Sequence, residues 1–313
     1  MKIFCLLFPL ALALPAAAQW TMKPQGGLGF TNNANFEETD KDADGFWWVR
    51  SSNLLIENRK TSMIWLNYRD YLKEHQNDVF SYRLGQTHEL GVRGLGSFDW
   101  DYALGGQYYS EGSPATTEES FNYTFLSTSL AKSFNPNSRM EVVLEPTYEI
   151  KFFHQFEGRV DHSLIFNSLL DWTLTPTQTL APYAEIGLVF SSQSLYSKNY
   201  LEFGGEWRIH PQPDLSYGLH FLSRFSSYPH RKISESTVIS NKKGRPVSTS
   251  QTEIETQTLF QLQGTVAKMF ERTELAGSLA LNSQSSRSGF ENFQEIQGWI
   301  RLTVPFESGN RRP

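Results

Sequence analysis

Residues of opposite polarity take turns along most of this chain, and that period of two constrains the fold more than any other feature. Successive side chains of a strand point to opposite faces, so sustained alternation marks strands with one apolar and one polar face. From Met140 to Phe152, Met140, Val142, Leu144, Tyr148, Ile150 and Phe152 share one face, while Glu141, Glu145, Thr147, Glu149 and Lys151 share the other. Glu253–Val266, Tyr200–His210 and Asp99–Tyr109 read the same way. Phe46–Ile56 and Phe121–Ala131 carry apolar residues on both faces, and Pro146 interrupts an otherwise regular strand, where it removes a ladder hydrogen bond.

The connections between these segments are short and long in strict turn. Short ones fall at Asn58–Lys60, Leu95–Ser97, Asn135–Ser138, Thr175–Gln178, Pro211–Pro213 and Glu271–Arg272. Longer ones fall at Asn33–Asp44, Lys73–Ser81, Ser110–Ser120, His154–Val160, Ser191–Asn199, Ser227–Gln251 and Gln284–Glu291. Six turns and seven loops make about fourteen strands, with both ends of the chain on the short-turn side. The fold expected is all-β: a closed antiparallel up-and-down transmembrane β-barrel over residues 19–306, with 307–313 as a short periplasmic tail. A secreted sandwich is the competing reading, but this many long hairpins present more apolar strand face than two sheets need to bury.

Residues 1–18 read as a secretory signal: Lys2, an apolar run from Ile3 to Leu14, then Ala16-Ala17-Ala18 before Gln19. Cys5 lies inside it, so the mature chain has no cysteine and no disulfide to rely on. Beyond the signal there is no run of eighteen apolar residues and mean hydropathy is negative, which removes helical spans. Aromatic residues are 14% of the chain and charged residues only 19%, a balance explained by two aromatic belts where a barrel meets the membrane surfaces. Trp100, Trp172, Trp207 and Phe306 fall beside the short turns; Trp48, Tyr108, Tyr123, Phe152 and Phe190 fall beside the loops. Net charge is −5, or −6 once Lys2 leaves with the signal, so no nucleic-acid partner is expected.

The last strand, with Ile296, Gly298, Ile300, Leu302, Val304 and Phe306 on one face, resembles the terminal strand by which bacterial outer-membrane proteins are recognised for insertion. It departs from that pattern in two ways: seven residues follow Phe306, and Arg301 stands where an aromatic is often found. The stretch from Gly27 to Asn35 resembles the first hairpin of porin-type barrels, some associated with exopolysaccharide export or surface lipoprotein delivery. At the level of pattern, the whole mature chain resembles the outer-membrane β-barrel superfamily of Gram-negative bacteria. That resemblance implies an outer-membrane location, lipid and lipopolysaccharide as neighbours, and the barrel assembly machinery as a partner during insertion.

A barrel of fourteen strands encloses room for water beyond its inward side chains, and rings of charged side chains set ion preference in pores. The residues read as pore-lining are Arg83, Glu89, Arg93, Asp99, Asp101, Glu141, Glu145, Glu149, Lys151, Glu202, Glu206, Arg208, Arg224, Glu253 and Glu255. Acids exceed bases among them, so a porin-like channel for ions or small polar solutes, mildly favouring cations, is expected. The alternative is a lumen closed by charge pairing, a structural or surface-interaction barrel that assists export.

Other motifs have two readings each. Asp40-Lys41-Asp42-Ala43-Asp44-Gly45 matches the start of a calcium loop, with Asp40, Asp42 and Asp44 as ligands of a weak Ca2+ site; Ser51 at the twelfth position supplies no carboxylate, and an acidic solvated loop is the other reading. No other cofactor is expected. The segment Ser227–Gln251 carries Arg231, Lys232, Lys242, Lys243 and Arg245 against Glu235, as a flexible loop or as a contact for lipid phosphates. His162 and Ser163 are adjacent and would point to opposite faces of a strand; with His154, His220 and Asp161 they form no spacing of a triad, and no catalytic residue is assigned.

Overall fold

Hydrogen-bonded pairing in this chain runs from each strand to the next in sequence and returns from the last to the first. The computed structural model describes residues 19–33, 42–57, 59–94, 96–110, 121–154, 158–240, 246–289 and 292–308, with 234–240, 246–252 and 307–308 as backbone alone. The signal segment, Asp40, Lys242, Lys243, Arg245 and residues 309–313 lie outside the described residues. The strands are β1 (Gln19–Thr31), β2 (Asp44–Glu57), β3 (Lys60–Tyr71), β4 (Val79–Val92), β5 (Gly96–Tyr109), β6 (Tyr123–Asn137), β7 (Met140–Phe153) and β8 (Val160–Thr175). They continue as β9 (Gln178–Ser191), β10 (Lys198–Gln212), β11 (Leu215–Ser240), β12 (Pro246–Phe270), β13 (Thr273–Ser286), β14 (Phe293–Thr303) and β15 (Phe306–Ser308).

All pairs are antiparallel, and β14 closes on β1 from Gln25↔Thr303 to Thr31↔Gln297. Pro305, which has no N–H to donate, separates β14 from β15; β15 then resumes pairing lower on β1, from Met22↔Phe306 to Trp20↔Ser308. The two segments together form one span, so fifteen strands make a closed barrel of fourteen staves. Pairing extends past the boundary read at Phe306. Closure matters because an unpaired backbone N–H or C=O in hydrocarbon costs several kcal/mol, and a closed sheet has no edge. No helix among the described residues is long and apolar enough to cross a membrane.

The alternation sorts side chains as expected. Leu164 and Phe166 on β8, Ile186 and Phe190 on β9, Leu279 on β13 and Ile300 on β14 all face outward, and Ile300 is 61% exposed. Trp100, Trp172 and Trp207 stand outward near the short turns, and Tyr108, Phe152 and Phe190 outward near the loops. Pro146 stays in register opposite Phe166 on this outer face.

Two aromatic assignments need correction. Trp48 and Tyr123 point into the barrel: Trp48 packs with Phe46 and Tyr71 against Trp299, and Tyr123 lines an internal cavity. Neither belongs to a membrane belt.

A second correction concerns Ser227–Gln251. Pairing continues from Lys232↔Ile254 to Ser240↔Pro246, after a bulge at residues 229–231, so β11 and β12 form a hairpin that outreaches its neighbours and only residues 241–245 connect them. The alternation fails there because, above the membrane, water bathes both faces and neither must be apolar.

Candidate functional site

Inside the barrel the β14–β1–β2–β3 wall is organised in rows set by the register. Trp299, Gly29, Phe46 and Tyr71 form one row; Arg301, Gly27, Trp48 and Arg69 the next; Thr303, Gln25, Arg50 and Asn67 the one nearer the periplasm. The Trp48 ring lies flat over β1 because position 27 is glycine: a Cβ there would come 2.7 Å from Trp48 Nε1 and would overlap the Ile300 carbonyl. Cations sit on these rings. Arg69 lies 4.7 Å from the Phe46 centroid, and Arg50 lies between Trp48 and Trp65 at 5.6 and 5.4 Å.

The opposite wall, β7 to β11, carries mixed charge in tight pairs. Lys151 Nζ is 3.1 Å from Glu149 and 5.1 Å from the Tyr123 ring. Arg224 donates to Glu202 at 2.6 Å, Tyr183 donates to the same carboxylate at 2.8 Å, and Tyr200 donates to Glu185 at 2.7 Å. Near the loops, Arg159 is fully buried, held by two hydrogen bonds to Asp161 (3.1 and 2.7 Å) and by the rings of Phe153 and Tyr196 at 3.9 and 3.6 Å. Between the walls lies a cavity of about 480 Å³ that reaches from Gln107 and Tyr123 to Gln261 and Glu295.

The periplasmic half is different. Arg83 pairs with Asp101 at 3.1 Å, and Glu206 pairs with Arg208. But Glu89 stands directly across the ladder from Asp99, and Glu141 directly across from Asp171. All four carboxylates are exposed on the inward face, and among the described residues none is in a salt bridge. Glu145 faces inward opposite Asn167.

Of the other residues singled out, Arg93 lies in the turn past Val92, beyond the paired strand. Glu253 pairs with Arg287 at the loop end, and the buried Glu255 accepts from the Ser288 amide at 3.2 Å. Sequence reading missed Arg50, Arg69, Arg159, Glu185 and Glu295, and noted Arg301 only as a departure from the terminal-strand pattern. The signal available was the double-faced apolar run Phe46–Ile56, opposite glycines at 27 and 29.

Asp44 is buried and accepts from the Lys73 and Glu74 amides at 3.0 and 2.9 Å, and Gly45 lies within β2. The described residues gather one other set of ligand types, Asp70, His75 and Asp78 beside the β3–β4 loop. There Asp78 already accepts from the Tyr71 amide at 2.7 Å and Asp70 from the Tyr68 hydroxyl at 3.1 Å. His162 points outward to the Tyr148 hydroxyl at 2.7 Å, while Ser163 points inward; His154 contacts Thr124 on the outer face.

No family model matches the chain, and no curated protein matches it. Among solved structures it is similar to an anion-selective porin from Comamonas acidovorans (7% identity, TM-score 0.47, covering 92% of this chain and 99% of that one). It is also similar to the outer-membrane-expressed OmpT of Vibrio cholerae (7%, 0.47, 94% and 99%) and to OccAB4 of Acinetobacter baumannii (7%, 0.45, 93% and 99%). By its own closure, even number of staves and apolar outer face, the chain is a closed, fourteen-stave, up-and-down antiparallel β-barrel of the transmembrane kind.

Proposed function

We propose that this protein is a water-filled, non-enzymatic channel in the outer membrane of a Gram-negative bacterium, passing ions or small polar solutes with a mild preference for cations. The observation that carries this reading is the pair of like-charged couples Glu89/Asp99 and Glu141/Asp171 on the inward face. Like charges directly opposed across a ladder repel; Arg208 offsets Asp171 in part, and carboxylates outside any salt bridge are tolerated where water and mobile cations reach them. A dry, filled lumen at that level would leave four such groups desolvated.

The fixed negative field at the periplasmic end raises the local concentration of cations and favours their passage. Refolded protein in a planar bilayer should show discrete conductance steps and, under a KCl gradient, a reversal potential of the sign that marks K+ as the more permeant ion. Replacing Glu89, Asp99, Glu141 and Asp171 by their amides should move that potential toward zero. A silent membrane, or a potential unchanged in the fourfold variant, refutes the reading. The buried Phe46–Trp48–Tyr71 corner favours a second one, a barrel filled enough to block conductance.

A further inference from the structure

The loop end of β3 and the connection that follows it gather an imidazole and two carboxylates. One donor atom each from Asp70, His75 and Asp78 lies within 4.8 Å of the other two. His75 Nδ1 stands 3.5 Å from Asp78 Oδ2. That is long for a hydrogen bond between these groups. It matches the edge of a coordination shell, since metal bonds of about 2.0–2.1 Å at tetrahedral angles place neighbouring ligand atoms about 3.3–3.4 Å apart.

The surrounding chain holds these atoms in place. Asp44, buried on β2, accepts from the Lys73 and Glu74 amides at 3.0 and 2.9 Å and so fixes the backbone just before His75. Residues His75–Asn77 form one 3-10 turn, closed by the Asp78 amide on the His75 carbonyl at 3.1 Å, and the Ser110 amide donates to the Asp78 carbonyl at 3.0 Å. The Asp78 side chain is anchored through Oδ1, which accepts from the Tyr71 amide at 2.7 Å; Oδ2 is the oxygen that faces His75. Asp70 is anchored through Oδ2 to the Tyr68 hydroxyl at 3.1 Å. A carboxylate has about four lone-pair sites, so each retains capacity for a cation, and partners of this kind are what orient metal ligands.

The charge balance favours a cation. Among the described residues no Lys or Arg forms a salt bridge with Asp70 or Asp78. Burial raises the Asp78 carboxyl above the usual carboxylate range, and the charge of Asp70 adds to the effect. The base beside them is the His75 imidazole, whose side chain is 61% exposed, and a neutral imidazole is a metal ligand and not a counter-ion.

We infer that Asp70, His75 and Asp78 form a binding site for one borderline divalent cation of the Zn2+ class, open to solvent on the His75 side. An imidazole with two carboxylates suits Zn2+, whereas Mg2+ and Ca2+ are held by oxygen ligands. Three protein ligands leave a coordination position for water or an exogenous ligand. Bound metal ties the end of β3 to the turn before β4 and fastens that loop. The inference does not depend on the channel reading.

The test uses the refolded full chain without an affinity tag, titrated with ZnCl2 by calorimetry and with CoCl2 by visible absorption, which reports the ligand field directly. One equivalent of Zn2+ should bind saturably, excess Mg2+ should not displace it, and amide exchange over residues 72–78 should slow when it binds. His75→Gln and Asp70→Asn should each weaken binding at least about tenfold. Asp78 is left in place because it also caps the Tyr71 amide. His230→Gln, which removes another exposed histidine on β11, should leave binding unchanged. Heat-modifiable gel mobility verifies that each variant is a folded barrel. Absence of saturable Zn2+ binding to the wild type, equal affinity in folded His75→Gln, or displacement by an equal concentration of Mg2+ overturns the inference and leaves an acidic patch with a histidine beside it.

Discussion

Replacing Arg159 by Met should be among the most damaging single changes in this barrel, although the residue lies at the loop end of the lumen. Its side chain is 1% exposed and that of Asp161 5%, and two hydrogen bonds of 3.1 and 2.7 Å join them. Met keeps most of the apolar stem against Phe153 and Tyr196, so the loss is chiefly electrostatic. Removing one partner of a buried pair leaves the other charge uncompensated, a penalty of about 3–5 kcal/mol. Replacing both partners with apolar groups of similar size is often close to neutral. Arg159→Met alone should therefore destabilise by about 3–5 kcal/mol, and the double variant with Asp161→Leu should regain about 2 kcal/mol or more of it. Urea unfolding in lipid vesicles, followed by tryptophan fluorescence with all four species at equal lipid ratio, measures this cycle. A single variant within about 1 kcal/mol of wild type, the size of an exposed pair, would refute the claim that this ion pair is dry.

Three smaller effects follow from other places in the fold. Gly187→Leu should perturb the barrel through Tyr200, whose ring overlaps the position of a Cβ at 187; a displaced Tyr200 loses its bond to Glu185, and near-ultraviolet circular dichroism should register the change. Glu271→Gly should stabilise by up to about 1 kcal/mol in the same urea assay, because Glu271 has φ of 53° in the two-residue β12–β13 turn, a region costly for residues with a Cβ. In the β10–β11 turn, the Asp214 carboxyl is held below its usual range, first by the hydrogen bond from Lys268. A depressed folded value means that the contribution is present above the unfolded pKa and is lost as pH falls through the folded one. An NMR titration should show this carboxyl moving back up in Lys268→Met.

The stave count and the outer face were legible because hydrocarbon imposes a rule on every residue it touches. Leu164, Ile186 and Ile300 could be assigned from alternation alone, since a polar group there would be desolvated. The lumen imposes no such rule. Arg50, Arg69 and Trp48 were obscured because an inward aromatic next to an inward arginine looks, in one dimension, like a strand with no preferred face; only the register, which lays Gly27 beside Trp48, explains it. The β11–β12 extension was read as a loop for the complementary reason, that pairing above the membrane needs no polarity pattern. Pairings such as Glu202 with Arg224 could be anticipated as inward charges, but not as partners, because residues 22 positions apart meet only once the hairpin register is known.

How one lumen holds both charge signs without collapse follows from where the rings lie. Arg50, Arg69, Lys151, Arg159 and Arg224 each rest against an aromatic face, and those faces are pressed to the wall. A cation held on a ring loses the freedom to swing across the barrel. The exposed couples Glu89/Asp99 and Glu141/Asp171 lie lower, out of salt-bridge reach of any described cation. Arg208 offsets Asp171 in part, and under the channel reading proposed above ions dissolved in the lumen supply the rest of the neutralisation.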